Sequence, residues 1–400
     1  MKMKLLSCPV CGNMEISGFI RMESFSYFNM PIKKNEKKRL LNQFDITELS
    51  SELCAHNCNL CGHIFLSALP DEYMLDLLYK KFYNIPSPVL NESNPYRENT
   101  FISQFKKFIN LGIISETTKS ILEIGCHDGY TLRELKKDGF IVKGCEPSKA
   151  CNIAKKNGIN VINKKFNVNL FESKKFDSII FRYLLEHIIN PQNFLEQLKK
   201  LLNTGGSIII EVPDMEHNLK NNIIEGFVLQ HYHYFNMNSL KVLLKKSGFE
   251  VKKIIKINGA LIAAAVKSDA TLKKISGFKA EKIIRLSENF SNRMLKKKSN
   301  FNNKISLYSK KNEKIAVWGA GGYGYILFKY YEILKDRIEY IIDSSPQKIN
   351  CEYLDFDLKI VLPEHVKKNP VDTIIIASMY HKEISKMIKK NKFAKNIIII

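Results

Sequence analysis

The chain has 400 residues, too many for one ordinary domain, and its 45% hydrophobic content supports packed cores. No apolar run reaches membrane-spanning length and residues 1–9 form no long apolar leader, which argues against a membrane protein and predicts a soluble, cytoplasmic one. The formal charge of +22 is carried by lysines spread along the whole chain. The two basic runs, 33–39 and 296–304, hold a single aromatic between them, Phe301, so neither a membrane nor a nucleic acid is the expected partner, whereas a diphosphate-bearing small molecule would be attracted.

In chain order, residues 1–75 come first and carry Cys8-Pro-Val-Cys11 and Cys58-Asn-Leu-Cys61, each followed by glycine. Each C-x-x-C pair supplies one edge of a tetrahedral zinc site, so Cys8, Cys11, Cys58 and Cys61 are the expected ligands of a structural Zn²⁺. A closed four-thiolate site holds a fold together and does not catalyse. Cys54, His56 and His63 are available as substitute ligands, but each reads more simply as a nearby ordinary residue.

Residues 76–270 alternate strand and helix patterns, with strands expected at 120–124, 141–144, 160–162, 177–181 and 207–212 and a helix at 130–137. Strands at 249–257 and 260–267 flank Asn258-Gly259, a hairpin signal, so parallel strands end in one antiparallel hairpin. The segment Ile121-Leu-Glu-Ile-Gly-Cys-His-Asp-Gly129 ends a strand on an acid and turns through glycines into the helix, and the next strand ends on Glu146. Glycines let the backbone approach a ligand, and a strand-terminal carboxylate can grip the two hydroxyls of a ribose. Glu123, Gly125, Cys126, Asp128, Gly129 and Glu146 in this spacing resemble the S-adenosylmethionine site of class I methyltransferases, with Asp128 either touching ligand or capping the helix. Arg182 and Glu186-His187 follow the fourth strand, at the carboxyl edge where such sheets bind ligands, and His187 is either a substrate-facing base or a packing histidine. Past the fifth strand, Phe227-Val-Leu-Gln-His231-Tyr-His233-Tyr-Phe235 brings aromatics and two histidines that could hold a sugar and supply a base.

Residues 271–310 read as a charged, helix-compatible connector, and 311–400 as a second, Rossmann-like α/β unit. Its strand at 314–318 runs into Gly319-Ala-Gly-Gly-Tyr-Gly324, a helix to 334, a strand at 338–342 ending at Asp343, a strand at 373–377 and a helix from His381. Gly319, Gly321 and Gly324 fit G-x-G-x-x-G spacing loosely, which leaves NAD binding open.

The whole assembly resembles the sugar C-methyltransferases of deoxysugar biosynthesis: paired C-x-x-C, the E-x-G-x-x-x-G turn, the Glu146-Pro147 step, Glu211-Val-Pro213 and a C-terminal Trp-Gly-Ala-Gly turn, in order over nearly the full chain. The resemblance implies a zinc-binding domain, a central class I methyltransferase sheet and a Rossmann-like C-terminal domain, with S-adenosylmethionine as cofactor and a nucleotide-activated keto-sugar or related polysaccharide precursor as substrate. It implies that a base removes a proton beside the carbonyl and that the enolate attacks the methyl group, with His231 as base and His187 and Tyr83 (or Tyr79) beside the sugar. Cofactor contacts would come from the turn residues with Glu146, Pro147 and Arg182. Substrate contacts would come from Gln230, His233, Gly319, Gly321, Gly322, Tyr323 and Asp343, and family members hold the nucleotide-sugar between the central and C-terminal domains. The family's Tyr-His-Glu-His reads Val228, Leu229, Gln230 and His231 here, and an amide can hydrogen-bond but cannot act as a base. O-methylation of a sugar hydroxyl, which needs only one base, is therefore the main alternative, ahead of nucleic-acid methylation or dinucleotide binding. The oligomeric state is left open.

Overall fold

A computed structural model describes residues 3–71, 73–75, 77, 94–171, 174–268, 280–309, 313–333 and 335–400. Tyr79 and Tyr83 lie outside the described residues. The chain forms two compact units, each assembled from separate segments. One comprises residues 1–18, 55–221 and 231–287, the other residues 19–54, 222–230 and 288–400. Among the described residues no helix is long and apolar enough to cross a membrane.

From the cysteine-rich region come β1 (Ser50–Cys58), of which residues 55–58 belong to the first unit, and β2 (Ile64–Leu66). The first unit continues with α1 (Pro95–Asn110), β3 (Ser120–Ile124), α2 (Tyr130–Lys137), β4 (Ile141–Cys145), α3 (Cys151–Lys156), β5 (Val161–Ile162) and β6 (Phe176–Arg182). After α4 (Pro191–Lys200) come β7 (Leu202–Pro213), β8 (His233–Tyr234), α5 (Met237–Lys246), β9 (Phe249–Ile257) and β10 (Ala260–Lys267). Helix starts follow capping chemistry: Asn94 and Asn190 each accept backbone N–H bonds ahead of a proline, and Asn236 forms a capping box with Ser239. Asn258 and Gly259 both have positive φ, as the tight turn between β9 and β10 requires.

The seven-stranded sheet runs β9-β10-β7-β6-β3-β4-β5, and β10 alone is antiparallel to its neighbours. Strand order reverses beside β3, so β3 and β6 flank a switch point whose crevice lies beyond their carboxyl ends. Period-2 alternation divides the apolar side chains between the two faces. Ile179, Phe181, Ile208 and Ile210 join one core cluster, while Ile180 and Ile209 join the other.

Helix α6 (Glu281–Ser309) occupies the stretch expected to be a connector. The second unit then forms β11 (Ile315–Trp318), α7 (Gly322–Lys329), β12 (Ile338–Ile342), β13 (Ile360–Val361), β14 (Thr373–Ile376), α8 (His381–Asn391) and β15 (Asn396–Ile399). Its five parallel strands run β13-β12-β11-β14-β15 over a core around Trp318, Ile342, Ile374 and Ile376. β13 and β15 are strands beyond those expected, α7 ends at Lys329 instead of 334, and the cysteine-rich region holds two long strands, Ile16–Ser26 and β1.

Candidate active site

The four cysteines expected as ligands converge. Cys8 Sγ lies 3.7 Å from Cys61 Sγ, and Cys11 Sγ 3.4 Å from Cys58 Sγ. Sulfurs about 2.3 Å from a tetrahedral zinc stand about 3.8 Å apart, so the cluster fits Zn²⁺. Hydrogen bonds led by Cys11 hold the Cys58 thiol below the ordinary range and push Cys61 above it, the tension a shared cation relieves. Gly12 and Gly62 take positive φ just past each pair, closing both knuckles, and their N–H groups donate to the Cys8 and Cys58 carbonyls. His63 is not among the ligands. It is fully buried, its ring Nε2 3.0 Å from His233 Nδ1.

Between β3 and α2 the chain passes through three left-handed residues, Gly125, His127 and Gly129. The two glycines serve different ends. A Cβ on Gly129 would stand 2.9 Å from the Ala154 Cβ, whereas one on Gly125 would meet only Leu184 Cδ2, at an ordinary contact distance of 3.8 Å. Asp128 Oδ1 accepts the Tyr130 N–H, the capping reading of this residue. The Glu146 carboxylate accepts the His127 N–H at 3.0 Å and the Ser148 N–H at 2.8 Å, which ties the turn to the end of β4. Those two bonds use half of a carboxylate's roughly four lone-pair sites, leaving acceptors for a diol. Glu123 is 3% exposed, and its Oε2 has no hydrogen-bond partner. Burial pushes it up to about 8 against the pull of Arg182, so it sits neutral below the turn. An open glycine, a half-used carboxylate and an orphaned buried oxygen are a fit for the ribose and amino-acid ends of S-adenosylmethionine.

Arg182 lies in the packing of the β6–β7 edge. Its Nε donates to Glu211 Oε2 at 2.6 Å, and its Nη1 to Glu98 and Thr131. Its guanidinium is thus held by protein groups, at the position from which a cofactor contact is expected. Tyr183, which the sequence reading passed over, has a left-handed φ of 48° that a bulky side chain rarely adopts. Its hydroxyl donates to Glu211 Oε1 at 2.9 Å, and the Arg97 guanidinium covers its ring at 3.9 Å. Such a conformation at the mouth of the switch point gives the only local signal for this residue, and it is invisible in sequence.

The histidines of the two motifs meet here. His187, in the short turn Leu185–His187, and His231 are half-buried, with ring centroids 4.7 Å apart and edge to face. The Tyr232 N–H donates to the Glu186 carbonyl, and the Leu66 N–H to the Tyr232 carbonyl, so backbone bonds clamp the His231 segment in place. His233 is a strut: 1% exposed, its Nε2 2.9 Å from the Ile188 carbonyl and its Nδ1 facing His63. Burial lowers it to about 4, hence it is neutral, and both ring nitrogens are engaged within the protein. Gln230 likewise donates its amide to the Tyr27 carbonyl.

In the second unit, Gly319 and Gly324 are demanded by packing, since a Cβ on either would lie 2.1 Å from a carbonyl oxygen. Gly321 and Gly322 face open space. Asp343 accepts from the Ala320 and Ser345 N–H groups and from Lys348 Nζ at 2.7 Å, so it is loaded with protein donors. The Tyr323 hydroxyl pairs with Glu225, and with burial this pushes it above the ordinary phenol range.

A seven-stranded sheet with this order, one antiparallel strand and a glycine turn leading to a strand-end carboxylate define a class I methyltransferase. Residues 96–254 match the family described as methyltransferase domain, and residues 261–399 the one described as C-methyltransferase C-terminal domain. The chain thus carries a methyltransferase domain followed by a C-methyltransferase C-terminal domain. It is 26% identical over 137 residues to C-methyltransferase NovU of Streptomyces niveus, covering 33% of each chain. It is also 29% identical over 131 residues to the tRNA U34 carboxymethyltransferase of Nautilia profundicola, covering 29% of this chain and 44% of that one. The chain spans less than half the length of the curated relatives it matches. Among solved structures, plantazolicin methyltransferase BpumL in complex with SAH is similar over 50% of this chain and 91% of that one, at 19% identity and a TM-score of 0.38.

Proposed function

We propose that this protein methylates a carbon beside the carbonyl of a keto-sugar carried on a nucleoside diphosphate, with His231 as the base. The observation that carries the reading is the pairing of His231 with His187 at the carboxyl edge of β6, the side on which the glycine turn and Glu146 lie. Gly125 and Glu146 would hold the cofactor's backbone-facing and ribose groups, and when bound S-adenosylmethionine would supply an electrophilic methyl carbon. His231 takes the proton from the acceptor carbon and keeps it on its ring, leaving the electron pair on the enolate. His187 holds the sugar beside it. Backbone clamping of both histidines fixes their approach, which is where positioning contributes most to such a transfer. The Cys8, Cys11, Cys58 and Cys61 cluster keeps a structural Zn²⁺ and takes no part in the chemistry.

The test is transfer from labelled S-adenosylmethionine to a panel of nucleotide-sugars in D₂O, read by NMR. A new C–CH₃ group with solvent deuterium at the carbon next to the carbonyl is the expected result. His231→Asn should lower the rate by about 10²–10⁴ while cofactor binding persists. An O–CH₃ product without exchange would sink the enolate route and assign the chain to hydroxyl methylation.

A further inference from the structure

Next to the histidine pair lies a carboxyl group that the fold does not use. Glu186 precedes His187 in the turn after β6, is 1% exposed, and neither of its carboxylate oxygens makes a hydrogen bond to another side chain or a well-placed backbone donor. One of its carboxylate oxygens, one ring nitrogen of His187 and one of His231 all lie within 4.8 Å of one another. Buried polar groups are nearly always bonded, and each exception asks for an explanation.

Two other charged groups act on Glu186, Glu211 and Arg97, and each has partners of its own. Glu211 is bound by Arg182 and Tyr183, and Arg97 stacks on the Tyr183 ring. The rings of His187 and His231 lie within reach of its charge. Burial pushes Glu186 up to about 8, with Glu211 adding to the rise and Arg97 and its own backbone N–H opposing it.

Building on the base role proposed for His231, we infer that Glu186 is a positioning residue that raises the proton affinity of His231 by offering the imidazolium its counter-ion. The proton moves from the acceptor carbon to the His231 ring: a C–H bond breaks, an N–H bond forms, and the electron pair stays on the acceptor. Glu186 exchanges nothing in this step. Above about pH 8, where Glu186 is ionised, its unpaired carboxylate gains an opposite charge only when His231 becomes protonated, so the interaction is strongest after proton transfer and lowers the barrier instead of tightening ground-state binding.

Glu186→Gln keeps the shape and removes the charge. In the full-length, cofactor-free protein with ¹³C-labelled histidine, the His231 resonance (assigned by its loss in His231→Asn) should titrate at least about one pH unit lower in Glu186→Gln. The acid limb of the methyl-transfer profile should move down by the same amount, with kcat lower by about 10-fold or more, KM unchanged and partial recovery in Glu186→Asp. Should Glu186→Gln fail to fold, the coupling is read from the other side: the buried carboxyl's ¹³C titration must move up in His231→Asn. A His231 titration identical in wild type and Glu186→Gln, or a carboxyl titration indifferent to His231→Asn, overturns the inference. Neither titration needs a substrate, so failure to methylate any nucleotide-sugar would sink the proposed function while leaving this result separately readable.

Discussion

At the scale of single residues, the site is governed by carboxylates in unequal surroundings. Glu146 is tethered by two backbone N–H groups at the end of β4, whereas Glu123 and Glu186 are buried with orphaned oxygens and are both pushed up to about 8. A folded carboxyl near 8 retains a proton that the unfolded chain, near 4.5, releases. Stability is therefore fully present below about pH 4.5 and declines as pH rises through 8, by roughly 2–5 kcal/mol for such a group. Glu123→Gln should flatten this decline, measured as urea-unfolding free energy between pH 5 and 8.5, and an unchanged slope would mean that Glu123 is ionised in the folded protein. His233 shows the opposite solution: a buried histidine kept neutral by desolvation and spent on holding the Ile188 carbonyl.

At the scale of elements, the strand-turn-helix between β3 and α2 combines a packing glycine with a ligand-facing one. Gly129→Ala must push into Ala154 and strain a left-handed backbone, so a loss of about 1–3 kcal/mol in unfolding free energy is expected. Gly125→Ala meets nothing closer than 3.8 Å and should cost less stability but more S-adenosylmethionine affinity by calorimetry. If both variants lost stability equally and bound cofactor normally, the turn would be structural only. The cysteine knuckles are an independent element. Cys58→Ser should abolish one equivalent of bound zinc, measured by elemental analysis, and lower the melting temperature. The same change at Cys145, a buried thiol bonded to the Lys164 carbonyl away from the cluster, should leave the metal in place.

At the scale of the whole molecule, the charge of +22 is the property most easily mistaken for a function. Several cations are locally answered. Lys37 is buried against Glu352 and Asp357, Lys256 and Lys282 bind Glu216, and Lys329 meets Asp355. Binding to duplex DNA or structured RNA should accordingly be weak and fade between 50 and 200 mM salt, without sequence preference, in a filter-binding assay. Tight binding that survives the higher salt would favour a nucleic-acid acceptor.

Much of this protein was readable from local pattern. The β3–α2 turn, Glu146, the β9–β10 hairpin and the cysteine pairs all declare themselves within a few residues. Strand alternation, turn glycines and ligand spacing are local physics, and β3, β12 and the start of α8 fall on their expected boundaries. Local pattern could not say which polar side chains the fold would consume. Arg182 and Asp343 looked ready for a ligand, and carboxylates 84 and 29 residues from Arg182 and the backbone around Asp343 hold them. Conversely, Glu186 looked like a neighbour of His187 and nothing more. Its lack of a partner and its nearness to His231 exist only once the 185–187 turn and the 231–234 segment are clamped together. Sequence determines what each residue can donate or accept along the chain, but only packing decides which of those capacities is left over, and the leftovers make the site.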